Sequence, residues 1–94
     1  MKTKFVNIGL IKMNKEYLKE YYPDLLVLDG FDDAIVGVVR RIGLEAICYS
    51  EELVLKQLVN QGMTYNEAIE YYEFNIIGAW VGEHTPLFLT IEEY

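Results

Sequence analysis

The chain has 94 residues, of which 52% are hydrophobic and 24% charged, and its formal net charge is -7. This length allows one modest hydrophobic core, so residues 1–94 are predicted to form a single domain. No apolar run approaches the roughly 18 residues of a membrane span, and the lone cysteine, Cys48, excludes an intramolecular disulfide and a cysteine-based zinc site. We therefore expect a soluble protein of a reducing cytoplasm, with no membrane partner, no metal and no cofactor.

The charge is distributed unevenly along the chain. Residues 1–22 carry five Lys and two Glu, which gives +3, whereas residues 23–94 carry three cations and thirteen acids, which gives -10. No Lys or Arg follows Lys56. A main body with so few cations lacks the basic surface that neutralises phosphates, so direct nucleic-acid binding is not expected. Such a composition favours either ordinary solubility or attraction to a basic surface on a partner protein.

The N-terminal segment is predicted to contain a strand and a short helix. Residues 4–12 alternate with a period of two, which is typical of a strand. Asn14 is suited to capping a helix over residues 15–22. This helix is expected to stop before Pro23, because proline disfavours helical geometry at the residue that precedes it.

The next segment is predicted to form a β-hairpin or a tight turn. Two apolar runs, over residues 25–28 and 34–39, flank Asp29-Gly30, a common turn sequence. The second run is rich in β-branched residues, which favour a strand over a helix. A further short strand is predicted over residues 46–49.

The C-terminal half carries the clearest helix signals. Ser50 can cap a helix over residues 51–60, and the first turn of that helix holds two glutamates, which the helix dipole favours there. Thr64 and Glu67 have the spacing of a capping box, which predicts a second helix over about residues 65–75.

The end of the chain is less uniform. Residues 76–81 are compatible with helix or strand, and residues 87–91 alternate as in a C-terminal strand. The elements together predict an α+β fold, with a small, mostly antiparallel sheet and two or three short helices.

Two segments carry a family resemblance. They read DGFDDAIVGVVRR over residues 29–41 and GMTYNEAIEYYEFNIIGAWVGEHTP over residues 62–86. Together they resemble a family of small, uncharacterised proteins encoded by bacteriophages and prophages, and the resemblance covers roughly residues 22 to 88. It implies a phage or prophage accessory protein in the cytoplasm of a bacterial host. It transfers no activity, cofactor or catalytic residue.

An acidic ridge on the second predicted helix is the first candidate binding surface. Its acids recur every three residues, and aromatic residues lie near them in the sequence. Such a ridge is either a solvated helix face or a docking surface for a basic groove, in which aromatic side chains serve as anchors. We interpret the chain as a non-enzymatic protein that binds a host protein with a basic surface, and defence proteins are one candidate class. The residues of this surface are Glu67, Glu70, Glu73, Tyr71, Trp80 and Glu83.

The alternative hypothesis is a homo-oligomer that binds a small molecule or a nucleotide. Eight Tyr and one Trp would suit subunit interfaces, because these side chains combine apolar area with a polar tip. The two arginines would hold an anionic ligand, and the nearby carboxylates and the only histidine could complete its site. The residues of this alternative site are Asp29, Asp32, Asp33, Arg40, Arg41 and His84.

An enzyme is the least favoured class. The three aspartates do not have the spacing of a calcium loop, and no phosphate loop, dinucleotide fingerprint or metalloprotease helix is present. Glu83 and His84 have the residue types of a general acid and base, but no nucleophile is specified beside them. Cys48 has apolar neighbours and is predicted to be an inert core residue. We therefore assign no catalytic residue and no metal ligand.

Overall fold

The computed structural model describes residues 15–92, and the predicted strand over residues 4–12 and its neighbour Asn14 lie outside this range. A short 3-10 turn precedes the first strand described, and a π-helical segment continues the last helix. These elements form an α+β fold, as predicted. In chain order they are helix α1 (Lys15–Tyr21), the 3-10 turn (Asp32–Ala34), strands β1 (Ile35–Arg41) and β2 (Leu44–Ser50), helices α2 (Glu51–Asn60) and α3 (Tyr65–Tyr71), the π-helical segment (Tyr72–Ile76) and strand β3 (Leu87–Leu89).

The described strands form one sheet in the order β1-β2-β3. Strands β1 and β2 pair antiparallel, with Val38 opposite Ile47, and β3 runs parallel to β2, with Phe88 opposite Tyr49. A parallel pair needs a crossover connection, which α2 and α3 supply between β2 and β3. The sheet is therefore mostly antiparallel, as predicted.

The position of the hairpin differs from the prediction. Residues 25–28 form no strand, and β1 instead pairs with β2 across a two-residue turn at Ile42-Gly43. Gly43 has a φ of 85°, and no non-glycine residue in the described range has a positive φ, a pattern that fits a type II turn. The hairpin alternative at Asp29-Gly30 was wrong, because that dipeptide carries the common hairpin signal whereas Ile42-Gly43 does not. The tight-turn alternative is confirmed, since the Phe31 amide bonds the backbone oxygen of Leu28 at 3.3 Å around Asp29-Gly30.

Local capping determines where the helices begin and end. The Ser50 hydroxyl accepts a hydrogen bond from the Leu53 amide at 3.2 Å, so α2 begins as predicted. After α2, Gly62 adopts a φ of 115°, which suits the residue that follows a helix.

Residues 77–81 belong to the segment that is compatible with helix or strand in the sequence, and in the structure they form a turn followed by irregular chain. In the part of the chain that the structure describes, no helix is long and apolar enough to cross a bilayer.

An aromatic cluster lies at the centre of the core. The side chain of Tyr49 is fully buried, and its hydroxyl accepts a hydrogen bond from the Leu28 amide at 2.6 Å. The ring of Phe88 stacks on Tyr49 at 5.8 Å and meets the ring of Tyr72 edge-on at 5.6 Å. Such aromatic pairs contribute stability beyond the apolar area that they bury. The cluster therefore joins β2, β3, the π-helical segment and the irregular segment around Leu28.

The two buried tyrosines differ in their polar contacts. The hydroxyl of Tyr72 is buried and has no hydrogen-bond partner among the described residues. Burial raises the pKa of Tyr72 far above its usual range, and the nearby Glu51 carboxylate contributes to this shift. By contrast, the hydroxyl of Tyr49 satisfies a backbone amide that would otherwise lack a partner.

We therefore expect Tyr49→Phe to lower the free energy of unfolding by about 1–3 kcal/mol, because it leaves the partly buried Leu28 amide without an acceptor. The matched variant Tyr72→Phe removes a hydroxyl that has no partner, and we expect it to leave stability unchanged or to raise it. Urea denaturation of both variants measures the difference. Equal losses in the two variants would contradict this role of the Tyr49 hydroxyl.

Candidate functional site

A complete capping box begins helix α3. The Thr64 hydroxyl accepts a hydrogen bond from the Glu67 amide at 3.1 Å, and the Glu67 carboxylate accepts one from the Thr64 amide at 2.9 Å. Met63 packs against the core beside this start, and Ala68 is fully buried. This confirms the predicted capping box. The box fixes the residue at which α3 begins.

One face of α3 combines acidic and aromatic side chains. Glu67, Glu70, Tyr71 and Phe74 have the spacing i, i+3, i+4 and i+7, which places them along one side of a helix. They line a surface hollow of about 440 Å³. Phe74 is 77% exposed and Tyr71 is 42% exposed. We call this hollow the α3 surface, and its lining residues are Met63, Glu67, Glu70, Tyr71, Phe74 and Asn75.

The other residues of the predicted binding surface lie elsewhere. Glu73 is exposed on the π-helical segment but is not part of the lining of the α3 surface. Trp80 is 76% exposed and follows the end of the helix. Glu83 lines a different hollow, beside the β1-β2 hairpin. Of the six predicted residues, the structure therefore brings together Glu67, Glu70 and Tyr71.

Close backbone packing ends the helix before Trp80. An added Cβ at Gly78 would lie 2.8 Å from the backbone oxygen of Glu73, a distance that real Cβ atoms essentially never show. The amide of Ile77 bonds the backbone oxygen of Tyr72 at 2.8 Å, which is the spacing of a π-helix. Gly78 thus permits the tight end of the helix that carries Phe74.

The acids of this helix do not all serve the same purpose. Glu67 belongs to the capping box, so its carboxylate already contacts the backbone. Glu70 and Glu73 are exposed and take part in no ion pair within residues 15–92. Since no Lys or Arg follows Lys56 in the sequence, this part of the chain has no cation of its own to balance them. These two acids remain available for a cationic partner.

The hollow beside the hairpin collects three residues of the alternative ligand site. Arg40, Arg41 and His84 line it together with Glu45 and Glu83, and its volume is about 700 Å³. Arg40 Nε lies 2.9 Å from Glu45 Oε2, and His84 Nδ1 lies 2.8 Å from the backbone oxygen of Glu45. Because that oxygen can only accept, the proton of this bond is on Nδ1. The hairpin hollow therefore carries both signs of charge.

The three aspartates of the alternative site lie apart from the hairpin hollow. Asp29 forms an ion pair with Lys15, which lowers the pKa of Asp29 and raises that of Lys15. Asp32 and Asp33 line a third hollow of about 430 Å³, together with Lys15 and Lys56. The alternative site is thus divided, because Asp32 and Asp33 line one hollow, the arginines and the histidine line another, and Asp29 lines neither. Local sequence patterns do not reveal the contribution of Lys15 and Lys56, because both are distant from the aspartates in the chain.

The geometry also bears on the enzyme hypothesis, which requires the carboxylates and the histidine to share one cleft. Asp32 and Asp33 line one hollow, whereas Glu83 and His84 line another. Among the described residues, no group of three His, Cys, Asp or Glu side chains is arranged to hold a metal ion. Cys48 is buried, and burial raises the pKa of its thiol, which disfavours the reactive thiolate. Cys48 is therefore a core residue, as predicted.

Comparison with known proteins does not assign the chain to a family. No protein-family model matches the chain, and no curated protein or solved structure matches it significantly. The function is therefore argued from the surfaces described above.

We expect Thr64→Ala to lower the free energy of unfolding by about 1 kcal/mol, because it removes the hydroxyl that caps α3. Thr64→Ser keeps a capping hydroxyl and is the matched control, so its stability should stay close to that of the wild type. Chemical denaturation followed by circular dichroism measures both values. A Thr64→Ala variant as stable as Thr64→Ser would show that the box does not stabilise this helix.

Proposed function

We propose that the chain is a bacteriophage or prophage accessory protein that binds a host protein in the bacterial cytoplasm and catalyses no reaction. The partner presents a basic surface, and defence proteins are one candidate class. The phage origin is based on the resemblance of the segments over residues 29–41 and 62–86. The observation that carries the binding function is the exposure of Phe74, 77%, beside the carboxylates of the α3 surface.

Exposed aromatic side chains distinguish the α3 surface from an ordinary solvated helix face. A solvated face needs only polar residues, whereas Phe74 and Tyr71 present apolar rings to water. Beyond them, Ile77, Trp80 and Val81 are 43%, 76% and 63% exposed. Single exposed apolar residues are common, but a run of them with aromatic rings is typical of a protein-binding surface. Aromatic anchors of this kind carry much of the binding energy in interfaces.

The acids next to these rings suggest which partner they fit. Glu70 and Glu73 lie in a part of the chain that contains no Lys or Arg. A basic partner would be attracted over a distance of about 10 Å at moderate ionic strength. Charge would therefore accelerate the encounter, and the rings of Tyr71 and Phe74 would then be buried in the complex.

A specific observation favours the alternative function as well. Arg40, Arg41 and His84 line one hollow, which is the arrangement that an anionic ligand would need. However, Arg40 is already paired with Glu45, and Glu83 adds a second negative charge to the same hollow. The α3 surface has no such internal compensation among the described residues, so we rank protein binding first.

We expect Glu70→Lys/Glu73→Lys to abolish capture of the host partner, because it reverses the charge that a basic surface would contact. Glu67 is left unchanged, since its substitution would also break the capping box. The measurement is affinity capture from lysate of the bacterial host, with the tagged wild type and variant compared by quantitative mass spectrometry. The control is Glu16→Lys/Glu20→Lys on α1, which changes the net charge equally at another exposed site.

Under this proposal, one host protein is retained at a stoichiometric level by the wild type and by the α1 control. Equal retention by Glu70→Lys/Glu73→Lys would exclude the α3 surface as its binding site. If nothing but ATP or another anionic metabolite co-elutes, and Arg41→Ala loses it, the alternative function is favoured instead.

A second variant isolates the aromatic contribution. Phe74→Ala should leave the free energy of unfolding within about 0.5 kcal/mol of the wild type, because the side chain is mostly exposed. It should weaken binding of the captured partner by about 2 kcal/mol or more if Phe74 is an interface anchor. Isothermal titration with the purified partner measures the loss. Unchanged affinity would show that Phe74 is not an anchor.

A further inference from the structure

The α3 surface carries negative charge that the chain does not balance within the hollow. Its lining contains two glutamates and two aromatic residues, and none of its described lining residues is Lys, Arg or His. The two other hollows described above differ, because the hairpin hollow holds two arginines and the third hollow holds Lys15 and Lys56. Of these three hollows, the α3 surface is therefore the one whose charge calls for a cation from outside the chain.

The two carboxylates of the α3 surface differ in how they are held. Glu67 Oε1 accepts a hydrogen bond from the Thr64 amide, so the capping box fixes this side chain in place. Glu67 Oε2 has no hydrogen-bond partner within residues 15–92. Glu70 is exposed and forms no ion pair with any described residue. A cationic donor that enters the hollow would thus meet one positioned acceptor and one that can turn towards it.

The aromatic rings of the α3 surface favour the same kind of guest. Phe74 is 77% exposed and Tyr71 is 42% exposed, and neither ring packs on another aromatic ring of the described chain. The face of an aromatic ring attracts a cation that lies within about 6 Å of its centre. Met63, which also lines the hollow, adds apolar surface for an aliphatic stem. The hollow is therefore suited to a cationic group at the end of an aliphatic chain.

An arginine side chain fits this combination better than a lysine side chain. The guanidinium group is planar, so its face can lie on an aromatic ring while its N–H groups point outward to carboxylates. It is also more weakly hydrated than the ammonium group of lysine, so it leaves water more readily. The side-chain oxygen of Asn75 is a further acceptor in the lining.

We propose that the α3 surface takes an arginine side chain of the host partner, with the guanidinium face on the ring of Phe74 and its N–H groups towards Glu70. Such a contact rests on the proposed function, because the partner supplies the arginine. The source is a protein and not free arginine, since the α-carboxylate of the free amino acid would be repelled by the same acids. Arginine is also among the residues that most often dominate the binding energy of protein interfaces.

Blocked amino acids test the preference on the full chain. Nα-acetyl-arginine amide and Nα-acetyl-lysine amide carry the same charge and differ in the cationic group. Each is titrated into the isotope-labelled chain at constant ionic strength, and NMR follows the backbone amides. The arginine probe should give saturable shifts at Glu70, Tyr71 and Phe74, and the lysine probe should bind at least about threefold more weakly. Equal binding of the two probes, or no saturable shift with the arginine probe, would overturn the proposal.

Two variants locate the contacts of the guanidinium group. Phe74→Leu keeps an apolar side chain but removes the ring, and Glu70→Gln keeps the size of the side chain but removes its charge. Each should weaken binding of the arginine probe about threefold, because the cation loses a ring face or an ion pair. Both positions are exposed, so the fold should persist, which the same NMR spectra verify. Phe74→Leu binding the arginine probe as tightly as the wild type would overturn the stacked geometry.

Matched control variants change a ring or a charge outside the hollow. Tyr65→Leu removes a ring that is 61% exposed on the same helix, and Glu20→Gln removes an exposed carboxylate of α1. Neither residue lines the α3 surface. Both variants should bind the arginine probe as the wild type does. An equal loss in either control would show that the probe responds to ring content or net charge in general, and would overturn the assigned site.

A third probe identifies the source of the arginine. Free arginine should bind more weakly than the blocked form, and tighter binding of free arginine would overturn the assignment to a protein side chain.

Capture of the host partner separates this contact from the proposed function. If capture depends on Glu70 and Glu73 but the arginine and lysine probes bind equally, the proposed function stands and the arginine contact is wrong. If the arginine probe binds as expected but no host protein is captured, the guanidinium site is supported and the proposed function is contradicted.

Discussion

The burial of Tyr49 is the interaction on which the arrangement of the other elements depends. Its ring lies against Phe88 on the parallel strand β3, and its hydroxyl satisfies the amide of Leu28 in a segment without regular structure. Phe88 in turn meets the ring of Tyr72, the first residue of the π-helical segment. A chain of this size has few core residues, so one cluster of three rings contributes a large share of the contacts between its elements.

The side chains that α3 and the π-helical segment bury in the core determine which of their other side chains face solvent. Ala68, Tyr72 and Ile76 recur every four residues and face inward from α3 and the π-helical segment. The residues on the opposite side of the same helix must therefore face solvent, and Phe74 is among them. Phe74 is exposed because Tyr72, two residues earlier, faces the core and so directs Phe74 to the opposite side of the helix. The α3 surface and the buried residues of the core thus lie on opposite sides of the same helix.

The sequence predicts those features that depend on neighbouring residues. The bounds of α2 and the start of α3 were predicted correctly, because Ser50 and Thr64 act on amides within three residues of themselves. The hairpin was placed wrongly because the turn at Ile42-Gly43 has no strong local signal. The parallel pairing of β3 could not be predicted, since it depends on the contact between Phe88 and Tyr49 across the crossover.

In the candidate site, too, the sequence predicts the features that depend on neighbouring residues and not those that depend on distant contacts. Glu67, Glu70 and Tyr71 were correctly grouped, because helical spacing alone brings them to one face. Glu83 was grouped with them from its position in the chain, but it lines the hairpin hollow together with Arg40. Its place depends on the loop before β3 returning to the hairpin, where His84 bonds the backbone of Glu45. No local pattern specifies that contact.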